Sequence, residues 1–163
     1  MRLRNLPVFR GHALAGLVFL VALLFGPATP ARASDQELKL RAQLIWGTDE
    51  AKPKDAAYKD LEPDLRQKLG RIFKWKNYWQ ISEQRCGFKP GETKKLKMSA
   101  KCDLEVRHLD EATIEIKLFG EGKLTRTVRQ SIRVLERGEL TVLAGDDKDK
   151  HDDAWFVVIT STK

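Results

Sequence analysis

Hydrophobic and polar residues alternate along most of this chain, and that period of two constrains the fold more than any other feature of the sequence. The alternation is first seen over residues 38–46 and returns after residue 74 in short runs about ten residues apart. Because successive side chains of a β-strand point to opposite faces, such runs predict half-buried strands. The later runs are 75–81, 95–98, 103–107, 114–118, 124–134, 140–144 and 154–160.

One segment departs from this pattern, because its apolar residues recur at the three- and four-residue spacing of a helical face. These residues are Leu61, Leu65, Leu69, Ile72 and Phe73, and Pro63 suits a first helical turn. The sequence therefore predicts a mainly β domain over residues 36–163. We expect an antiparallel β-sandwich or barrel-like sheet of seven to eight strands, with one α-helix after the first strand.

The first 33 residues have the layout of a secretory signal peptide. Arginines precede an apolar run over 13–25, and the triplet Ala31-Arg32-Ala33 supplies an A-x-A cleavage site. The run has 13 residues, whereas a helix needs about 20 to span a bilayer. Cleavage after Ala33 is thus favoured over an uncleaved membrane anchor. We expect a periplasmic or secreted protein with no transmembrane segment after signal cleavage.

Removal of the leader changes what the charge implies. The whole chain has 30 basic and 23 acidic residues, a net charge of +7 that would suggest nucleic acid or an anionic membrane as partner. The leader holds four of the arginines and no acidic residue, which leaves 26 against 23, a net charge of +3. The sequence therefore predicts no nucleic-acid partner.

Cys86 and Cys102 are the two cysteines of the chain. Export favours oxidation of any pair that can meet, so they are a candidate disulfide. If residues 93–98 form one full strand crossing, however, the two residues lie at opposite ends of a sheet, because a bridge needs Cα atoms within about 7 Å. Two separate, partly buried thiols are the alternative, and the sequence leaves both open.

Several clusters of polar residues are candidate sites of chemistry. Five aspartates interleave with lysines over 146–153, which suggests calcium, but a solvated hairpin loop is the favoured interpretation because the sequence lacks a calcium-loop pattern. His108 and His151 are interpreted as structural or solvated, and Glu105 and Glu115 as solvent-face charges beside Lys117 and Arg107. The sequence predicts no catalytic, cofactor-binding or metal-binding residue, and no cofactor.

Aromatic and basic residues interleave over 73–79. Period two would send Trp75 and Trp79 to one face, as core residues, and Tyr78 to the other, where it is the first candidate for ligand contact. Basic residues also cluster in two later runs, interpreted as charged edge strands that deter sheet pairing rather than as a patch for an acidic polymer. These residues are Lys94, Lys95, Lys97 and Lys101 in one run and Arg126, Arg129 and Arg133 in the other.

In its apolar blocks the chain resembles small exported bacterial proteins of uncharacterised function. The blocks are Leu44–Thr48, Phe73–Trp79, Leu143–Asp146 and Ala154–Val158. The resemblance implies an envelope protein and transfers no activity, cofactor or catalytic residue.

Together these patterns predict an exported, non-catalytic β-rich domain that binds or supports another cell-envelope component through a sheet edge or exposed aromatics. The alternatives are a small envelope hydrolase with a site assembled from distant residues, and a calcium- or polyanion-binding protein.

Overall fold

In a computed structural model of the protein, residues 37–145 and 153–162 are described. They form nine strands, one of which has two residues, and two helices. The elements are β1 (Leu38–Thr48), β2 (Lys59–Asp60), α1 (Pro63–Ile72), β3 (Asn77–Phe88), β4 (Thr93–Lys97), β5 (Cys102–Asp110), β6 (Thr113–Gly120), β7 (Lys123–Ser131), α2 (Ile132–Glu136), β8 (Thr141–Ala144) and β9 (Ala154–Ser161).

The strands form two antiparallel sheets. The first sheet has the order β2-β3-β1-β9-β8, and the second has the order β4-β5-β6-β7. The prediction of a mainly β fold with antiparallel pairing is confirmed. Within the described residues the two sheets do not close into a barrel, because each retains two edge strands.

The alternation along β1 decides how the two sheets meet. One face of β1 carries Leu38, Leu40, Ala42 and Leu44, all buried. These side chains belong to one hydrophobic cluster with Leu104 and Val106 of β5 and with Ile114, Ile116 and Leu118 of β6. Apolar faces of both sheets are therefore removed from water in a single core, the dominant favourable term in folding.

Helix α1 covers the opposite face of the first sheet. Its Leu65 and Leu69 are buried against Ile45, Tyr78 and Phe156 in a second cluster. Pro63 occupies the first turn, where its missing N–H costs no hydrogen bond. The helix predicted around residues 61–73 is thus present, although α1 follows the two-residue strand β2 rather than β1 directly.

Helix α2 replaces the end of a predicted strand. Period two over 124–134 predicted that Ile132 and Val134 continue the strand, but β7 stops at Ser131. Gly138 adopts φ +82°, and its amide donates to the Leu135 carbonyl (2.9 Å). The Glu139 amide donates to the Val134 carbonyl (3.3 Å). This pair of bonds is a Schellman helix ending, which a glycine accommodates because it adopts positive φ freely. The strand prediction was wrong here because Ile132 and Leu135 are buried on one helical face instead.

Candidate functional site

Tyr78, the first candidate for ligand contact, is a core residue in the structure. It is 2% exposed, and its ring meets that of Trp75 edge-on, with centroids 6.4 Å apart. Its hydroxyl donates towards the carbonyls of Leu69 (3.4 Å) and Phe73 (3.3 Å). Burial, with a smaller effect of the Asp49 charge, raises the pKa of this hydroxyl. Tyr78 therefore ties α1 to β3 as a buried residue, and ligand contact at Tyr78 stays a prediction.

The expectation that Trp75 and Trp79 share a face is wrong. Trp75 precedes β3, which begins at Asn77, so strand alternation does not extend to it. Its indole stacks on Phe156 at 6.0 Å and lies against the backbone of Gly47, where an added Cβ would be 2.5 Å from the ring. The sequence gives no signal for this contact, because it depends on a glycine 28 residues earlier in the chain.

The other three tryptophans form a row across β3, β1 and β9. Trp79 and Trp155 both lie opposite Trp46 in the strand ladders, and Trp46 stacks on Trp155 with centroids 5.7 Å apart. The Trp46 indole donates to the Asp153 carboxylate (2.7 Å), and the Lys52 ammonium lies 5.5 Å from the Trp79 ring. Because Trp46 and Trp79 are buried, this row stabilises the end of the first sheet and offers little exposed aromatic surface.

Cys86 and Cys102 are both free thiols and lie in different sheets. The Met98 amide donates to the Cys102 carbonyl (2.9 Å), and the Ser82 hydroxyl donates to the Met98 carbonyl (2.6 Å), so Cys102 lies near the level of Ser82. Cys86 is four residues further along β3, a rise of about 13 Å. Residues 93–97 do form the strand that separates them. Burial raises the pKa of each thiol to about 11.

His108 is buried, at 3% exposure, on the face of β5 that carries Leu104 and Val106. Its backbone is bonded to Gly91 and Glu92, yet neither ring nitrogen has a hydrogen-bond partner among the described residues. The described residues therefore hold this imidazole by its backbone and its apolar surroundings.

Most of the aspartate cluster and His151 lie outside the described residues, so the solvated hairpin loop stays a prediction and calcium binding stays its alternative. Asp153 is described, and its carboxylate accepts the Trp46 indole N–H. Within residues 37–145 and 153–162, no group of three or more His, Cys, Asp or Glu side chains is arranged to hold a metal ion.

Charged residues cross the solvent face of the second sheet in a row that we call the ion-pair ladder: Lys95, Glu105, Lys117, Glu115 and Arg129. Neighbouring charged groups along it are 3.7, 3.2, 3.5 and 3.1 Å apart. The Arg129 hydrogen bond, the largest cause, lowers the pKa of Glu115, and the Glu105 hydrogen bond raises that of Lys117. The two carboxylates are thus neutralised by cations, in agreement with their interpretation as solvent-face charges.

Most residues of the two predicted basic runs lie on the edge strands of the second sheet, with Lys94, Lys95 and Lys97 on β4 and Arg126 and Arg129 on β7. Lys101 lies between β4 and β5, and Arg133 lies in α2, so the edge-strand prediction does not hold for these two.

The β4 edge is covered by β3 through hydrogen bonds that each join a side chain to a backbone carbonyl. These bonds run from Ser82 to Met98 (2.6 Å), from Gln84 to Lys97 (3.4 Å) and from Lys94 to Gly87. Side chains of β3 thus do not take the place of a partner strand along the whole of β4, but they do bond to the Lys97 and Met98 carbonyls at its end, and Lys94 bonds back to β3.

The other edge, which we call the β7 edge, is the outer side of Lys123–Ser131. In the described part of the chain β7 pairs with β6 alone, and none of its nine residues is buried. It carries three cations, Lys123, Arg126 and Arg129, and no acidic residue, and Leu124 is 55% exposed. A long edge with exposed backbone groups is a template for pairing with another chain. Edge strands β2 and β8 of the first sheet have only two and four residues.

One shallow groove of about 280 Å³ lies at the end of the first sheet. Its lining includes Glu37, Lys39, Arg85 and Cys86, and His108 is not part of it. The described residues that line the groove therefore include a carboxylate but no histidine.

A scan of protein-family models and searches of curated proteins and solved structures found no match to this chain. Among the residues that the structure describes, no helix is both long and apolar enough to cross a membrane.

Proposed function

We propose that the mature chain is an exported, sandwich-like β module that binds an extended segment of another envelope component at the β7 edge. The segment adds to the second sheet as a fifth strand, so main-chain hydrogen bonds supply affinity and side chains on its two faces supply specificity. The signal-peptide pattern supports export, and the core that both sheets share supports a sandwich-like arrangement.

The observation that carries this proposal is the open β7 edge itself. Its nine residues would span about 30 Å, long enough to pair with an extended segment of similar length. Leu124 adds apolar surface that water meets in the free protein, and covering it is favourable by about 25 cal/mol for each Å² removed from water.

Self-association through this edge is disfavoured by charge. Two β7 strands side by side would bring three cations from each copy together, with no acidic residue on either strand. Like charges facing each other across a strand pair are destabilising. The edge cations thus deter copies of the chain, as the sequence predicted, without closing the edge to other partners.

Amide hydrogen exchange gives a test specific to strand addition. The mature protein would first be screened against overlapping peptides that cover the exported proteins of its source organism. For a peptide that binds, we expect alternate β7 amides, those that do not face β6, to change from fast to slow exchange. Binding with unchanged β7 exchange for every peptide, or no binding peptide at all, would overturn the proposal.

A matched pair of proline variants sharpens this test. Thr127 and Gln130 lie in an uninterrupted part of the β6–β7 ladder and are three residues apart, so one amide faces β6 and the other faces out. Proline at the outward position should abolish peptide binding and leave the melting temperature nearly unchanged, because no ladder bond is lost. Proline at the inward position should lower stability, which separates loss of binding from loss of folding.

A further inference from the structure

The ion-pair ladder ends in a cation at the β7 edge. Charges along it alternate from strand to strand, with Lys95 on β4, Glu105 on β5 and Lys117 on β6. Lys117 also meets Glu115 of its own strand, and Glu115 then meets Arg129 on β7. The Arg129 side chain is 70% exposed, whereas that of Glu115 is 11% exposed. Arg129 therefore keeps most of its surface available on the side away from β6.

We infer that the segment added at the β7 edge is acidic, with a carboxylate beside Arg129 that continues the alternation of charges along the ion-pair ladder. This inference rests on the proposed function. The same face of β7 carries Leu124, which lies opposite Phe119 in the β6–β7 ladder, as Arg129 lies opposite Glu115. The partner segment is thus an extended strand with an acidic residue near Arg129 and an apolar residue near Leu124 on one face.

The other face of the added strand meets Val128, which packs against the core shared by both sheets. An apolar side chain beside Val128 would extend that core outward, since cross-strand neighbours on one face are the unit of sheet stabilisation. The recognised pattern is therefore acidic and amphipathic. A uniformly charged polymer would supply only the carboxylate beside Arg129. A neutral strand would supply only the main-chain hydrogen bonds to β7.

Three synthetic ten-residue peptides test this inference directly. Each alternates valine and threonine, and two threonine-face positions carry glutamate in the first, glutamine in the second and lysine in the third. We expect the glutamate peptide to bind about tenfold more tightly than the glutamine peptide, which corresponds to about 1.4 kcal/mol, and the lysine peptide to bind weakest. This preference should shrink as salt is raised, because exposed charges are screened.

Two variants of Arg129 test whether this residue contacts the glutamate of the peptide. Arg129→Gln should remove the preference for glutamate, and Arg129→Glu should reverse it in favour of the lysine peptide. Lys95→Glu is the matched control, because it changes the cation at the other end of the ladder, on the covered β4 edge, and should leave all three affinities unchanged. A thermal melt of each variant reports that it folds.

The outcomes separate the inference from the proposed function. If all three peptides protect alternate β7 amides with equal affinity, strand addition stands and the acidic preference is overturned. If none protects the β7 amides, the proposed function fails as well. If Lys95→Glu rather than Arg129→Glu changes the preference, the binding edge has been assigned to the wrong strand.

Discussion

The two edge strands of the second sheet carry charge of the same sign but have different surroundings. Both β4 and β7 are rich in cations, and each has exposed positions along its length. Yet β3 occupies carbonyls at the β4 edge with its own side chains, whereas β7 pairs with β6 alone in the part of the chain that is described. The comparison teaches that charge on an edge strand does not by itself say whether the edge is closed, because closure depends on what packs beside it.

The largest change in stability is expected in α2, which follows β7 and packs into the shared core. Leu135 of α2, directly after β7, is fully buried in the shared core. Leu135→Ala should lower the free energy of unfolding by about 3 kcal/mol, because it removes buried methyl groups and leaves a cavity. Denaturant unfolding measures this, with Leu124→Ala as the control at an exposed position, expected within about 0.5 kcal/mol of the parent. Equal losses for both variants would mean that β7 is already covered.

The reactivity of the Cys86 and Cys102 thiols measures how well the region between β3 and the second sheet is buried. Burial raises the pKa of Cys86 and of Cys102 from 9.0 to about 11, so at pH 8 the thiolate fraction should be about a hundredfold lower than in the unfolded chain. A thiol reagent should therefore react slowly with the folded protein and rapidly with two thiols after denaturation.

The same shift predicts how stability depends on pH. A thiol whose pKa is raised on folding stabilises the folded state below the unfolded pKa, so stability should fall as pH rises from about 9 to about 11. Serine at either cysteine should reduce this dependence. Two results would contradict the structure around β3 and β5. One is that the thiols of the folded protein react fast, and the other is that no free thiol is found after denaturation.

His108 lies in β5, beside the covered β4 edge, and neither ring nitrogen is hydrogen-bonded to any residue that the structure describes. Its replacement by leucine should raise the free energy of unfolding by about 1 kcal/mol, because an unsatisfied buried donor is removed. His108→Gln, which keeps buried polar atoms, is the control and should not stabilise. A loss of stability in His108→Leu would reveal a hydrogen-bond partner for the imidazole.

The smallest effect is expected for the hydrogen bond from Ser82 of β3 to the Met98 carbonyl at the end of β4. Ser82→Ala removes the hydroxyl that donates to the Met98 carbonyl (2.6 Å), and it should cost about 1 kcal/mol or less. Hydrogen exchange should become faster in the neighbouring Met98 and Ser99 amides and stay unchanged in β7. Thr127→Ala on β7 is the matched control and should alter neither. If Ser82→Ala has no effect on exchange, the β4 edge is not held by β3 and the contrast between the edges is weaker.

The mainly β class and the helix near residue 63 could be predicted because they rest on local periodicity. Leu38, Leu40, Ala42 and Leu44 share a face for the simple reason that strands have a period of two. The helix α2 could not be found this way, because Ile132 and Val134 also fit the preceding alternation. The one available signal was Gly138, whose helix-ending role is decided by Leu135 being buried in a core made by distant strands.

Sequence by itself determined the period of the elements, the leader pattern and the placement of basic runs on strands, since each is a property of neighbouring residues. Only the tertiary structure decided that Tyr78 is buried, that Cys86 and Cys102 lie apart, and that β3 bonds to the end of β4 while β7 pairs with β6 alone among the described residues. Each of these depends on which strands become neighbours in space, and long-range pairing is fixed by burial summed over the whole core rather than by any single stretch of residues.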